Sequence, residues 1–129
     1  MATLVLADDD DDLRDVYASA LRGSGHVVFE AIDGQNALDV VREVRPALLL
    51  LDLWMPNLTG FDVLDALRYD PAGTRLKIVV VSNLSDADSR LEAFEAGATA
   101  YLVKGRSLFE MIALVERTLL GVEVVGDLT

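Results

Sequence analysis

The chain has 129 residues, a length that supports one hydrophobic core but not two. It is 52% hydrophobic and 26% charged, as a folded globular protein is, and its 22 acidic against 11 basic residues give a formal charge of −11 that repels a phosphate backbone over most of the surface, so direct nucleic-acid binding is disfavoured. The absence of cysteine excludes disulfides, thiolate metal sites and cysteine nucleophiles; the longest apolar run, ALLLL at 47–51, is far below the ~20 residues that span a bilayer, and the chain reads as soluble and cytoplasmic, with no membrane insertion.

In chain order, the first strand is TLVLA at 3–7, followed by five consecutive aspartates, Asp8 to Asp12. Leu13, Val16, Tyr17, Ala20 and Leu21 then recur at helical spacing until GSG at 23–25 supplies a stop. A second strand is expected at VVFEA, 27–31, and a second helix through Ala37, Leu38, Val41 and Val44, ended by Pro46. The third strand, ALLLLD at 47–52, leads into a Pro- and Gly-containing loop. A short third helix on Phe61, Val63, Leu64 and Leu67 lies between Gly60 and the breaker DPAG at 70–73. KIVVVS at 77–82 is the fourth strand, and Leu91 and Phe94 mark the inner face of the fourth helix before Gly97. AYLV at 100–103 is the fifth strand, and the last helix starts after Ser107, its candidate N-cap.

Strands one, three and four are apolar without alternation, the pattern of a parallel sheet covered by helices on both faces. The class is therefore α/β, an open three-layered fold with right-handed crossovers, whose ligands bind beyond the carboxyl ends of the strands. At those ends stand Asp8 and Asp9, Asp52, Ser82 and Lys104. Gathered carboxylates repel by about 4 kcal/mol per pair at ~4 Å and an effective dielectric near 20, which a divalent cation relieves. An all-oxygen donor set with few carboxylates favours Mg²⁺; the spacing of a calcium-binding EF-hand is absent. With Lys104 and Ser82 beside it, a phosphoryl group is the natural co-ligand, and Asp52, on the central strand, is the best-placed nucleophile.

From Thr3 to about Leu120 the sequence resembles the receiver domain of two-component response regulators. The resemblance rests on Asp8 and Asp9 after LVLA, LLDLWMPNLTGFD around Asp52, VVVSN with Ser82, and AYLVKG with Tyr101 and Lys104. It implies a CheY-like sheet of strand order 2-1-3-4-5 with five helices, in a single receiver domain over 1–129 whose short tail begins at 121. It implies that Asp52 accepts a phosphoryl group from the phosphohistidine of a sensor kinase or phosphotransfer protein. It further implies that Asp8, Asp9, Asp52 and the backbone carbonyl of Trp54 hold Mg²⁺, and that Ser82 and Lys104 grip the phosphoryl oxygens. In such domains the residues at Ser82 and Tyr101 then shift, and the face of the fourth helix, fifth strand and fifth helix changes its affinity for a downstream protein. Such a domain promotes its own phosphorylation and slow dephosphorylation and is not a conventional enzyme.

The chain departs from the family pattern at Gly105, where a proline usually follows the lysine, and a looser loop is expected. Trp54 and Leu84 occupy positions from which the family tunes entry of the hydrolytic water, and their bulk implies a long-lived aspartyl phosphate. Asp10, Asp11 and Asp12 read as a solvated helix start, Tyr101 on its own as a half-exposed strand aromatic, and His26 as a turn-adjacent histidine without a role. A phosphatase of the haloacid-dehalogenase type needs a second aspartate where Trp54 stands, and five aspartates would repel the phosphate of a flavin mononucleotide. The competing reading is a receiver-shaped interaction module that no longer works as a phosphoswitch. After the last helix only GVEVVGDLT follows, so a stand-alone receiver or a piece of a longer regulator is expected.

Overall fold

The five apolar runs form five parallel strands, β1 (Thr3–Ala7), β2 (Val27–Ala31), β3 (Leu48–Asp52), β4 (Lys77–Ser82) and β5 (Ala100–Val103), in the order β2-β1-β3-β4-β5. The computed structural model describes residues 1–121; the expected tail from 122 onward lies outside the described residues. Five helices connect the strands: α1 (Asp11–Gly23), α2 (Gly34–Val44), α3 (Gly60–Arg68), α4 (Ala87–Glu95) and α5 (Leu108–Leu120).

All five residues of β3 are buried, because the sheet is covered on both faces. Leu49 and Leu51 point to one side, into a core with Val41 of α2 and Val63, Leu64 and Leu67 of α3. Leu48 and Leu50 point to the other, among Tyr17 and Leu21 of α1 and Met111 and Val115 of α5. The two-residue period of a strand is thus present but hidden, since both faces demand apolar side chains.

Local chemistry sets the helix starts. The Asp10 carboxylate accepts from the backbone N–H groups of Asp12 and Leu13, so the third aspartate of the run caps α1. Thr59 and Asp62 form a reciprocal capping box on α3, and Ser107 caps α5 through the N–H of Glu110, as expected. Gly60 has a steric reason: a β-carbon there would come within 2.7 Å of the Asp52 carbonyl oxygen, so only glycine lets α3 start against the end of β3.

In two helices part of the expected apolar stripe stays outside and an arginine is buried: α1 keeps Leu13, Tyr17, Ala20 and Leu21 against the core and leaves out only Val16, whereas α4 leaves out both Leu91 and Phe94. In α1 the buried residues are Arg14, Tyr17, Ala18 and Leu21, while Val16 is 48% exposed. At the edge of that face the Arg14 guanidinium reaches the Asp8 carbonyl at 2.8 Å and pairs with Asp11 and Glu30. In α4 Leu91 is 58% exposed and Phe94 also faces outward; Arg90 and Ala93 are the buried residues. Small Ala93 admits the helix to the sheet, and Arg90 lies with its guanidinium carbon 5.5 Å from the centre of the Tyr101 ring. No helix among the described residues is long and apolar enough to cross a membrane.

Candidate functional site

The parallel register brings the carboxyl ends of β1, β3, β4 and β5 to one rim. The Leu53 N–H bonds to the Val81 carbonyl and the Lys104 N–H to the Ser82 carbonyl, so the chain stays paired one residue beyond each strand. Asp8, Asp9 and Asp52 each offer a carboxylate oxygen within 4.8 Å of the others. Asp8 and Asp52 are buried and Asp9 is exposed, so the cluster opens to solvent on one side.

Each side chain is aimed by a short local device. One oxygen of Asp8 accepts the Asp10 N–H at 2.9 Å, a turn that leaves its Oδ2 directed at Lys104 Nζ, 3.5 Å away. Lys104 also reaches Asp52 Oδ1 at 3.3 Å, and that oxygen receives the Trp54 N–H at 3.3 Å. The other oxygen, Asp52 Oδ2, is buried and has no hydrogen-bond partner.

Burial, followed by the neighbouring charge of Asp8, pushes the Asp52 carboxyl up to about 6, with Lys104 and the Trp54 N–H opposing the rise. Lys104 is partly desolvated, which disfavours its charge, but Asp52 and then Asp8 outweigh this and raise its pKa. Carboxylate oxygens within 4.8 Å of one another repel by roughly 3 kcal/mol or more per pair at an effective dielectric near 20, and a single ammonium leaves two of three negative charges uncompensated. An orphaned buried oxygen within an all-oxygen acidic cluster suits a hard divalent cation, so the residues present fit Mg²⁺.

Ser82 and Tyr101 meet through Leu84. The Leu84 N–H bonds to Ser82 Oγ at 3.1 Å, and the Tyr101 hydroxyl donates to the Leu84 carbonyl at 2.7 Å. Tyr101 is buried, unlike the half-exposed aromatic that its strand position alone suggested, because this hydroxyl finds a partner under the β4–α4 loop. The indole of Trp54 is 55% exposed; its contact to the cluster is the backbone N–H. Gly105 has φ +89°, a conformation glycine adopts freely and proline cannot, so the loop after Lys104 follows a path of its own.

The family model described as the response regulator receiver domain matches residues 4–116. This chain belongs to that family. Among curated relatives, the receiver is 40% identical over 116 residues to the transcriptional regulatory protein PrrA of Mycobacterium leprae, covering 90% of this chain and 49% of the relative. It is 35% identical over 116 residues to the DNA-binding response regulator MtrA of Mycolicibacterium smegmatis, covering 90% and 50%. The chain thus spans about half the length of these relatives, and 14% of a gliding motility regulatory protein of Myxococcus xanthus, at 34% identity over 110 residues and 85% of this chain. In structure it is similar to the Francisella response regulator 1452 receiver domain, with a TM-score of 0.87 at 25% identity over 94% of this chain and 98% of that one. The chemotaxis protein CheY4 of Vibrio cholerae gives 0.86 at 26% identity, over 92% and 98%.

Two residues near the receiver's acidic rim had no signal in the sequence. Arg14, which clasps the Asp8 carbonyl, looks like a solvated helix charge, and Tyr17, whose hydroxyl pKa is raised by burial, looks like any core aromatic. His26 is not an idle turn residue either. Its Nδ1 accepts the Ala2 N–H and its Nε2 lies 2.5 Å from the Glu116 carboxylate, a bridge from the start of β1 to α5.

Proposed function

We propose that Asp52 is the phosphoacceptor of this receiver, taking a phosphoryl group from the phosphohistidine of a sensor histidine kinase or phosphotransfer protein. The observation that carries the reading is Asp52 Oδ2, a buried carboxylate oxygen without a partner at the centre of the acidic rim. As that oxygen bonds to phosphorus, the phosphorus–nitrogen bond of the donor breaks and the imidazole leaves with the electron pair. Asp8, Asp9, Asp52 and the backbone carbonyl of Trp54 would hold Mg²⁺, which supplies charge neutralisation for the incoming phosphoryl oxygens when bound. Lys104, which already spans Asp8 and Asp52, exchanges a carboxylate contact for a phosphoryl oxygen, and the Ser82 hydroxyl donates to another.

The same contacts supply a path outward. A Ser82 hydroxyl drawn toward phosphate pulls on the Leu84 N–H, and Leu84 holds the Tyr101 hydroxyl by its carbonyl. The face of α4, β5 and α5 then changes its affinity for a downstream protein. Gly105 does not remove any of these groups, so the reading as a mere interaction module has less to support it. The test is intact-mass measurement after incubation with acetyl phosphate or phosphoramidate, with and without Mg²⁺. The wild type gains one phosphoryl group only with Mg²⁺, and Asp52→Asn gains none; equal labelling of the variant would sink the assignment.

A further inference from the structure

Of the three acids at the rim, two are aimed by contacts of their own side chains. Asp8 accepts the Asp10 N–H and faces Lys104, and Asp52 accepts the Trp54 N–H and faces the same ammonium. The Asp9 carboxylate has no hydrogen-bond or ion-pair partner among the described residues, so its direction is inherited from its backbone. That backbone is held on both sides. After Asp9, the Asp10 N–H donates to Asp8 Oδ1 at 2.9 Å; before it, Arg14 Nη1 donates to the Asp8 carbonyl at 2.8 Å. The last residue of β2, Ala31, takes the Asp8 N–H on its carbonyl, which leaves the Asp8 carbonyl beyond the final rung of the β1–β2 ladder, and the guanidinium stands in for the missing strand. Arg14 is itself fixed by Asp11 at 2.6 Å, in the first turn of α1, and by Glu30 at 3.1 Å, on β2. Glu30 is gripped from its other oxygen by Arg22 at 3.2 Å, which also donates to the Val28 carbonyl at 2.7 Å.

We infer that Arg14 is a positioning residue for the divalent cation: by holding the Asp8 carbonyl it sets the direction from which the Asp9 carboxylate enters the acidic rim. The inference rests on the reading that the rim takes Mg²⁺ with Asp9 among its ligands, and it adds how that ligand is aimed. Charge is not what Arg14 delivers, because Asp11 and Glu30 already match it at ion-pair distance. What it delivers is a fixed plane. Its fork uses all three nitrogens at once, on acceptors at the end of β1, in α1 and on β2, and the side chain is only 10% exposed, so these contacts compete little with water. A lysine at the same place keeps the charge on a flexible stem but cannot hold three acceptors in one plane. The choice of ion then separates aiming from general loosening. Mg²⁺ demands a near-ideal octahedron, whereas Ca²⁺ accepts variable ligand number and direction, so a misdirected Asp9 penalises Mg²⁺ more.

The test is a pair of titrations of the full chain, with Mg²⁺ and with Ca²⁺, followed by Trp54 fluorescence. Arg14→Lys is expected to lose at least about fivefold in Mg²⁺ affinity while Ca²⁺ affinity stays within about twofold, so that the preference for Mg²⁺ falls. Glu30→Gln, which leaves Arg14 in place but weakens its anchor, should move the ratio the same way by a smaller factor, and it carries the test should Arg14→Lys fail to fold. In an Asp9→Ala background Arg14→Lys should have no further effect on Mg²⁺, because the ligand it aims is gone. Val41→Ala, which opens a cavity in the core on the other face of the sheet, lowers stability and should leave the ratio of the two ions unchanged. An equal fall for both ions, additive losses in the double variant, or an Arg14→Lys protein with wild-type Mg²⁺ affinity would each overturn the positioning role alone, since the wild type still binds Mg²⁺. A wild type that takes up no Mg²⁺ at millimolar levels would overturn the reading of the rim itself, and the inference with it.

Discussion

Replacing Asp52 by Asn should stabilise the receiver, and by an amount that depends on pH. The native carboxyl sits near 6 against an ordinary 3.8, raised by burial and by Asp8. Between those values the folded state binds more protons than the unfolded one, so stability falls as pH rises through the window, and the penalty is complete above about 6. A shift of about two units corresponds to a ceiling of ~3 kcal/mol, and water at the open side of the cluster screens this to about 1–2 kcal/mol. Asn resembles the protonated carboxyl in shape and charge and escapes the penalty. In urea unfolding at pH 8 with a chelator present, Asp52→Asn is expected to exceed wild type by about 1–2 kcal/mol, with the difference vanishing near pH 4. Saturating Mg²⁺ should close the gap at pH 8 by stabilising the wild type, since ligand at ~10 times its Kd contributes about 1.4 kcal/mol. A variant no more stable than wild type at pH 8, or a difference that grows toward acid pH, would refute the account of an uncompensated charge.

Four further outcomes follow from the same contacts. Asp9→Ala removes the exposed ligand and should weaken Mg²⁺ binding about tenfold with little loss of stability; Trp54, the chain's sole tryptophan, whose N–H touches Asp52, reports this by fluorescence titration. Lys104→Ala should still label at Asp52 but lose the chemical-shift response of Tyr101 to phosphorylation. The bulk of Trp54 and Leu84 should make the phosphoryl group long-lived for a receiver, and loss of the mass increment within seconds, without a phosphatase, would contradict it. Gly105→Ala forces an L residue to φ +89° and should cost about 1 kcal/mol in thermal or urea melts, whereas a neutral outcome would show that the loop relaxes freely.

Chemistry written along single segments was legible before any coordinates. Five apolar runs became five strands, with only β3 starting one residue later than read, because runs of four to six residues, most of them rich in Val or bounded by turn residues, are too short for a buried helix. Ser107 was legible as a cap because the cap bond spans three residues. The acids of the rim were legible as strand-end residues because a parallel α/β sheet carries all its carboxyl ends to one side. Their assembly within 4.8 Å was an expectation from spacing and from the family likeness, and the geometry agrees with it.

What the linear pattern could not decide was which face of a helix meets the sheet when polar side chains have partners far away. Leu91 and Phe94 outrank Arg90 on any hydrophobic scale, yet Arg90 goes inward because Tyr101, eleven residues on, offers it a ring. Arg14 likewise is buried where Val16 is not, through the Asp8 carbonyl and Glu30, and His26 finds Glu116 some ninety residues away. The residue types at the rim were thus set by the chain, but the unpaired oxygen of Asp52 and the hold of Arg14 on the Asp8 carbonyl exist only once the strands are registered. Burial and partnership are properties of neighbours in space, and a one-dimensional period carries no record of them.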